Sequence, residues 1–205
     1  MSRIINAFSL PVLEANLEHF EIMNTLLLSE ITALFSTMDD KRLLSYEWNN
    51  LTLTDIPDSI GYSSFNHSNL ADDTTFKLIF QTISPLIDDF FEQLFYTGSW
   101  QFENAWVNVY PTGAYVPHHN HAASHWSGVY YVSAPNACGD LILLDPKEYS
   151  LNNEPKGFNF RGNNRMTIKA TPGKLVTFPG YLKHETMPNQ SRENRIAISF
   201  NISID

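Results

Sequence analysis

The periodicity of the sequence changes near residue 99, and this change constrains the fold more than any other feature. Beyond it, short segments rich in Val, Ile, Tyr, Trp and Phe are separated by Pro, Gly, Asn and Asp, a pattern typical of β-strands joined by turns. The pattern predicts eight strands, which is the number in a jelly roll. Their ranges are 102–110, 114–119, 126–133, 140–145, 158–161, 164–169, 174–178 and 195–204.

Before this change, two stretches place apolar residues at three- and four-residue steps, which predicts amphipathic helices over 12–37 and 76–96. Pro85 is expected to kink the second helix or to start a new one, because proline is tolerated in a first turn but not in a helix interior. Residues 41–75 are polar and turn-rich, so we expect surface loop with short ordered pieces there.

A length of 205 residues suits a single well-filled core better than two. We therefore predict one α+β domain over 1–205, in which a mostly helical part, 1–98, buttresses a double-stranded β-helix, or jelly roll, at 99–205. A division into two domains near residue 98 is the lesser alternative.

Composition and charge argue against several classes of function. The formal net charge of −9, with no cluster of Lys or Arg, would repel a phosphate backbone, so direct binding of nucleic acid is not expected. The longest apolar runs are far shorter than the roughly 20 residues that cross a bilayer, so no membrane association is expected. Cys138 is the one cysteine, and Glu14 and Glu18 interrupt the stretch that an export signal would need. These features predict a cytoplasmic protein.

Four of the seven histidines lie in the segment PHHNHAASH, and a fifth, His184, lies in FPGYLKHETMP. On an extended strand, residues two apart project from the same face, so His119 and His121 can place both imidazoles on one metal ion. His184 could close the site from a distant strand. A lone histidine is more often an ordinary surface or core residue, but this combination favours coordination. His118 has the opposite strand parity and His125 would need a turn to return, so neither is expected to be a ligand.

Arg195 opens the last predicted strand, RIAISFNISI, whose alternation gives one apolar face and one small, polar face that includes Arg195 and Asn201. A guanidinium inside a barrel needs an anionic partner, because burying an unpaired charge is costly. A dicarboxylate cosubstrate would supply it, and the planar guanidinium suits bidentate contact with a carboxylate. A structural salt bridge is the alternative explanation.

The segments WVNVYPTGAYVPHHNHAASHWSGVYYV and GKLVTFPGYLKHETMPNQSRENRIAISFNI resemble the 2-oxoglutarate-Fe(II) oxygenases of bacteria and phages, a family similar in fold to prolyl hydroxylases. The resemblance rests on H-x-H, S-G-V-Y-Y, a distal His and R-I-x-I-x-F-N. It implies a dioxygenase, an oxidoreductase that uses Fe(II), 2-oxoglutarate and O2 to hydroxylate a small-molecule or peptide substrate, which the sequence does not identify.

The resemblance also assigns roles to residues. The metal positions fall on His119, His121 and His184. Arg195 falls on the arginine that binds the far carboxylate of 2-oxoglutarate, and Tyr131 matches a strand tyrosine that commonly shares that carboxylate. Weaker candidates for lining the cosubstrate site are Asn108 and Asn201.

One departure from the usual pattern concerns the metal ligands. Most 2-oxoglutarate oxygenases use H-x-D/E with a distal His, whereas here His121 stands at the carboxylate position, which leaves the site one unit more positive. Glu185, adjacent to His184, is expected to face elsewhere. Asp140 or Asp145 is the candidate for orienting a ligand histidine.

Two other functions fit part of the pattern. The three-histidine set favours a dioxygenase resembling the thiol dioxygenases, which use no 2-oxoglutarate; a cupin-like metal-binding or sugar-binding module without redox activity is the alternative outside enzymes. Trp106 and Trp126 are candidates for the mouth of the site. The loops 41–75 and 146–163 are expected to select the substrate. Residues 147–165 are expected to form either a mobile lid or an inert connection. A homodimer would be ordinary for such a protein.

Overall fold

The computed structural model describes residues 9–38, 61–146 and 165–205 of the chain. Within these ranges the protein has two helices and two β-sheets. The helices are α1 (Phe20–Ser36) and α2 (Lys77–Gln93), and a 3₁₀ turn, Thr74–Phe76, precedes α2. The strands are β1 (Leu13–Asn16), β2 (Tyr62–Ser63), β3 (Trp100–Tyr110), β4 (Trp126–Ser133), β5 (Leu141–Leu144), β6 (Arg165–Ile168), β7 (Lys174–Pro179), β8 (His184–Thr186) and β9 (Arg195–Ile204).

The larger sheet has the strand order β1-β7-β4-β9-β3-β2 and the smaller sheet the order β6-β5-β8. All of these strand pairs are antiparallel, and the longest pair joins β3 to β9 along nearly their whole length. Two antiparallel sheets packed face to face form a jelly roll. The predicted α+β fold, a double-stranded β-helix buttressed by N-terminal helices, is confirmed.

Two apolar clusters separate the layers. The first lies between the helices and the larger sheet, where Ile83 of α2 belongs to the same cluster as Phe200 of β9. The second lies between the sheets, where Val176 of β7 belongs to the same cluster as Leu143 of β5. Because side chains alternate along a strand, β3 and β9 present apolar residues to the helices and polar residues to the space between the sheets.

The predicted helix over 12–37 begins later than expected, because Leu13–Asn16 form strand β1. This strand pairs with β7 at the edge of the larger sheet, and Lys174 of β7 donates to the Glu14 carboxylate at 2.5 Å. Burial alternates along these four residues, as it does along a half-buried edge strand. The helical spacing therefore applies only from Phe20 onward.

The second predicted helix is confirmed as α2, which continues through Pro85. Proline cannot donate to the carbonyl oxygen four residues earlier, on Gln81. Both residues are exposed, so water can reach that carbonyl group and the lost hydrogen bond costs little. The alternative of a new helix starting at Pro85 is wrong.

The strand predictions differ in outcome. Those confirmed by β3, β4, β5, β6, β7 and β9 are 102–110, 126–133, 140–145, 164–169, 174–178 and 195–204. The predicted strand at 114–119 is wrong: Pro117 has no N–H for a ladder, and this segment makes only an isolated bridge between His119 and His184. The strands β1, β2 and β8 were not predicted.

Some predictions fall on residues outside the described ranges. These include the strand at 158–161, nearly all of the loop 146–163, and residues 41–60 of the loop 41–75. The described remainder of the loop 41–75 contains short ordered pieces, as expected: strand β2 and the 3₁₀ turn. Neither of the two described helices has the length and hydrophobicity of a membrane-spanning segment.

Candidate metal centre

Three histidine side chains converge in the space between the two sheets. His119 and His121 come from the loop between β3 and β4, and His184 is the first residue of β8. One ring nitrogen from each lies within 4.8 Å of the others, which is compatible with a single shared ion. The ring centroids of His119 and His184 are 4.3 Å apart, and that of His121 lies 5.1 and 5.2 Å from them.

The backbone fixes this loop against the smaller sheet. His119 and His184 exchange a pair of backbone hydrogen bonds, at 2.9 and 2.8 Å, and the His121 N–H donates to the Gly180 carbonyl at 2.7 Å. A Cβ atom at Gly180 would collide with the carbonyl oxygen of Ser124, so the close approach of the loop requires glycine. The expected H-x-H geometry is therefore reached without a regular strand.

Each imidazole has its Nδ1 atom turned toward a protein oxygen. The distance is 2.9 Å from His119 to the Pro117 carbonyl, 2.9 Å from His184 to the Leu182 carbonyl and 2.7 Å from His121 to Asn201 Oδ1. Because an amide oxygen only accepts hydrogen bonds, each Nδ1 carries the proton and each Nε2 keeps its lone pair. Three neutral imidazole donors are a set that suits Fe(II), so the residues present fit an iron ion.

The protonation states agree with this assignment. Burial lowers the pKa of His119 to about 4, against the opposing effect of the Pro117 carbonyl. Burial likewise lowers the pKa of His121, and it lowers the pKa of His184 well below its ordinary value, with a further contribution from the other two imidazoles. All three side chains are thus neutral near pH 7, which is the form that binds metal.

Asn201 holds His121 through a buried amide network. Its Oδ1 accepts from His121 Nδ1 and from Ser127 Oγ, the latter at 2.8 Å, while its Nδ2 donates to Asn104 Oδ1 at 2.9 Å. The amide oxygen of Asn201 and one of its two Nδ2 hydrogens are thus engaged within the protein, and the oxygen orients His121. The predicted role of Asn201 toward a cosubstrate stays a prediction.

The predicted orienting carboxylates are not the partners of the histidines. Asp140 Oδ1 accepts from the Ala170 N–H at 3.0 Å, and the three Nδ1 atoms have the partners given above, so neither Asp140 nor Asp145 has the predicted role. Glu185 accepts from Arg165 at 2.6 Å and so faces away from the histidines, as expected.

Arg195 lines the same cavity and is only 1% exposed. Its Nη1 donates to the carbonyl groups of Cys138 and Gly139 at 2.8 and 2.7 Å, and its Nη2 donates to Thr186 Oγ1 at 3.0 Å. The guanidinium carbon lies 4.2 Å from the centroid of the Tyr110 ring. The side chain is therefore fixed in place before any ligand binds.

No carboxylate among the described residues pairs with this guanidinium, which argues against a structural salt bridge. The contacts above use both Nη1 hydrogens and one on Nη2. They leave Nε–H and the second Nη2–H of Arg195, out of five donors, for an anionic ligand. A buried cation without an acidic partner fits a carboxylate-bearing cosubstrate.

Tyr131 and Asn108 lie where the sequence placed them, on cavity-facing positions beside Arg195. Tyr131 is opposite Ala197 on β9, and burial raises the pKa of its hydroxyl against the lowering effect of the Arg195 charge, so it is a neutral donor. Asn108 Nδ2 donates to Ser199 Oγ at 3.0 Å, and both side chains line the cavity. Their roles toward a cosubstrate stay predictions.

The cavity has a volume of about 940 Å³. Trp106 lines it and stacks on His121, with ring centroids 5.7 Å apart and an interplanar angle of 21°. Trp126 does not lie at the mouth as expected, because it packs against Phe90 and Phe91 of α2. Trp106 and Trp126 therefore project from opposite faces of the larger sheet, Trp106 toward the cavity and Trp126 toward the helices.

Two residues near Arg195 were missed by the sequence analysis. Tyr110 lies opposite Arg195 in the β3–β9 pair, and Thr186 lies two residues after His184 on β8. Tyr110 shares its strand parity with Asn108, and this signal could have identified it. Thr186 had no comparable signal, because β8 was not predicted.

The sequence matches one known family. Residues 104–201 match the model of a family described as putative 2OG-Fe(II) oxygenase. This range contains all three histidines and Arg195. No curated protein matches the chain.

Solved structures of prolyl hydroxylases have the same fold. A prolyl-4-hydroxylase from Pseudomonas putida has a TM-score of 0.58 at 14% identity, covering 94% of this chain and 93% of its own. A viral collagen prolyl hydroxylase from Paramecium Bursaria Chlorella virus-1, solved with 2OG, has a TM-score of 0.56 at 14% identity, covering 93% and 94%. A prolyl hydroxylase from Trichoplax adhaerens, solved with a peptide fragment of hypoxia inducible factor, has a TM-score of 0.58 at 15% identity, covering 94% and 83%.

Proposed function

We propose that this chain, whose residues 104–201 match the model of the putative 2OG-Fe(II) oxygenase family, is a dioxygenase that hydroxylates its substrate with Fe(II), 2-oxoglutarate and O2. The observation that carries the proposal is the placement of three neutral imidazoles and one buried, carboxylate-free guanidinium in a single cavity. The first set suits iron and the second suits the far end of a dicarboxylate.

The residues of the chain divide the work. The iron would be held by His119, His121 and His184, and the bound iron with its cosubstrates supplies the oxidising chemistry. Asn201 keeps the His121 proton on Nδ1, so that Nε2 faces the ion. Around this site Trp106 stacks on His121 and Phe178 packs on His184 with ring centroids 4.7 Å apart, which restricts the access of water.

Arg195 and Tyr131 would bind the far carboxylate of 2-oxoglutarate. Arg195 offers the two N–H donors that no described residue uses, and Tyr131 offers a neutral hydroxyl. Carbonyl groups and Thr186 fix the guanidinium beforehand, so little side-chain entropy is lost when the anion binds. The substrate is a small molecule or a peptide; a peptide complex is known for the Trichoplax adhaerens neighbour.

We also propose a cytoplasmic location. Support comes from Cys138, the one cysteine of the sequence, which is buried as a free thiol. A reducing compartment would keep both this thiol and the iron in their reduced states.

The proposal is tested by adding Fe(II) and then 2-oxoglutarate under anaerobic conditions and recording the charge-transfer band in the visible region. We expect a band for the wild-type protein. Tyr131→Phe, which removes one hydrogen bond to the anion, should weaken the apparent affinity for 2-oxoglutarate by roughly 5- to 30-fold, and Arg195→Lys should weaken it further.

Metal binding is measured on the same variants by Co(II) titration and should be unchanged, which shows that each variant is folded. Iron binding without a band would contradict the use of 2-oxoglutarate. A dioxygenase similar to the thiol dioxygenases, or a metal-binding module without redox activity, would then replace the proposal.

A further inference from the structure

Strand β3 contains one extra residue at Glu103. Phe102 lies opposite Ile202 and Asn104 lies opposite Asn201, so that two steps along β3 match a single step along β9. Such a bulge changes which face the following side chains occupy. Phe102 packs against the apolar cluster under the helices, whereas Glu103 and Asn104 both line the cavity. The bulge therefore places two successive polar side chains, the Glu103 carboxylate and the Asn104 amide, on the cavity face.

The bulge is held from outside the strand. Asn69 donates to the Glu103 carbonyl at 3.3 Å and accepts from the Ala105 N–H at 2.8 Å, so one side chain bridges the irregular position. The Glu103 carboxylate accepts from Ser124 Oγ at 2.9 Å, and the Ser124 N–H donates to the His121 carbonyl at 2.9 Å. The carboxylate thus lies beside the loop that carries a metal ligand.

The charges of the cavity lie far apart. Among the described lining residues, Glu103 is the one carboxylate, and Arg195 is the one side chain from Lys or Arg. Arg195 lies opposite Tyr110, and the bulge lies near Asn201, six residues along β9. This separation corresponds to roughly 20 Å of strand. The cavity therefore has a cationic end at Arg195 and an anionic end at Glu103, and the three histidines line the same cavity.

An aromatic wall borders the anionic end. Trp106 is two residues beyond Asn104 on the same face of β3, and the Phe65 ring meets it edge-on at 4.8 Å between centroids. Phe65 is 49% exposed, so part of its ring is accessible to a ligand. An aromatic surface beside a carboxylate is an arrangement that binds organic cations.

We propose that Glu103, with Phe65 and Trp106 as the wall, recognises a cationic group, an alkylammonium or guanidinium, on the substrate that the iron site oxidises. This inference rests on the proposed function, because the wall stacks directly on His121. The dianionic cosubstrate then occupies the Arg195 end, and the cationic substrate occupies the Glu103 end. The formal net charge of −9 attracts such a substrate from solution.

A purely structural role for Glu103 predicts a different response to mutation. If Glu103 only supported the histidine loop, the hydrogen bond with Ser124 would be its important contact. Glu103→Gln keeps an oxygen that accepts from Ser124 but removes the charge. Ser124→Ala removes that hydrogen bond but keeps the charge. The two variants are therefore matched controls for charge and for hydrogen bonding.

The test measures the binding of phenethylamine, 2-phenylethanol and 3-phenylpropionate to protein loaded with Zn(II) and 2-oxoglutarate, by ligand-observed NMR at pH 8. Zn(II) is diamagnetic, and at this pH ordinary imidazoles are neutral. We expect the wild-type protein to bind the amine at least about tenfold more tightly than the other two probes. Glu103→Gln should reduce this preference below about threefold, and Ser124→Ala should retain it.

Two results would overturn the inference: a wild-type protein without preference for the amine, or a preference that falls equally in both variants. The anaerobic charge-transfer band of the wild-type protein separates this inference from the proposed function. A normal band without amine preference refutes the inference alone. A preference that depends on Glu103, in a protein that gives no band, refutes the proposed function alone.

Discussion

The Oδ1 and Nδ2 atoms of Asn201 both make hydrogen bonds within the protein, and the oxygen fixes the orientation of His121. The other two ligand histidines are fixed by backbone carbonyl groups, which substitution does not remove. Asn201 is therefore a side chain through which the geometry of the candidate metal site can be perturbed without replacing a histidine.

We expect Asn201→Leu to weaken metal affinity by about 10- to 100-fold, the range usual for loss of a group that orients a ligand histidine. His121 would lose the acceptor that selects its tautomer. Co(II) titration followed by visible absorption measures the change. Asn201→Asp keeps an oxygen acceptor and should retain affinity within about threefold of the wild type. Equal affinity of the Leu and Asp variants would show that the hydrogen bond does not matter.

The sequence predicted the residues of the site better than their partners. The three histidines and Arg195 are chemically distinctive and lie in motifs, so their convergence could be anticipated. The partners of His119 and His184 are carbonyl groups of Pro117 and Leu182, and every residue carries such a group. Side-chain identity therefore contains no information about them.

At the scale of elements, strand pairing explains where the sequence pattern failed. Leu13–Asn16 and His184–Thr186 are short strands whose extended form depends on the neighbours β7 and β5. Neither is long enough to display a periodicity of its own. The long strand β9, which alternates over ten residues, was predicted with its observed limits. A strand is thus predicted more reliably from alternation when more of its residues repeat the alternating pattern.

Helix α1 is attached to β4 by a buried polar contact as well as by apolar packing. Asn24 Nδ2 donates to the Val132 carbonyl at 2.8 Å, and Asn24 Oδ1 accepts from the Tyr130 hydroxyl at 2.6 Å. The β4–β9 register shifts between Tyr131 and Ser133, so Val132 is the extra residue whose carbonyl needs a partner outside the ladder. Asn24 supplies that partner.

Asn24→Leu should lower the free energy of unfolding by about 2–4 kcal/mol, because it leaves both the Val132 carbonyl and the Tyr130 hydroxyl buried without partners. Tyr130→Phe removes only one of the two bonds and should cost about 1 kcal/mol. Urea denaturation measures both values. A loss below about 0.5 kcal/mol for Asn24→Leu would mean that water or repacking replaces the amide.

At the scale of the whole molecule, one face of the larger sheet forms the apolar core and the other face lines the cavity. The face toward the helices is packed with apolar side chains, and the face toward the smaller sheet carries the polar residues of the cavity. The histidines close this cavity by joining β8 of the smaller sheet to the loop that connects β3 and β4 of the larger one. A metal ion bound there would cross-link the two layers of the jelly roll.

Metal binding should therefore stabilise the entire fold. A ligand that binds only the folded state at 100 times its dissociation constant adds about 2.7 kcal/mol, which for a chain of this length raises the melting temperature by about 5–10 °C. Anaerobic calorimetry with and without Fe(II) measures the shift, and a chelator should reverse it. His184→Ala should abolish the response, whereas His118→Ala, at an exposed position beside the site, should retain it. An equal shift in His184→Ala would mean that the ion binds elsewhere, because the link between the sheets runs through that imidazole.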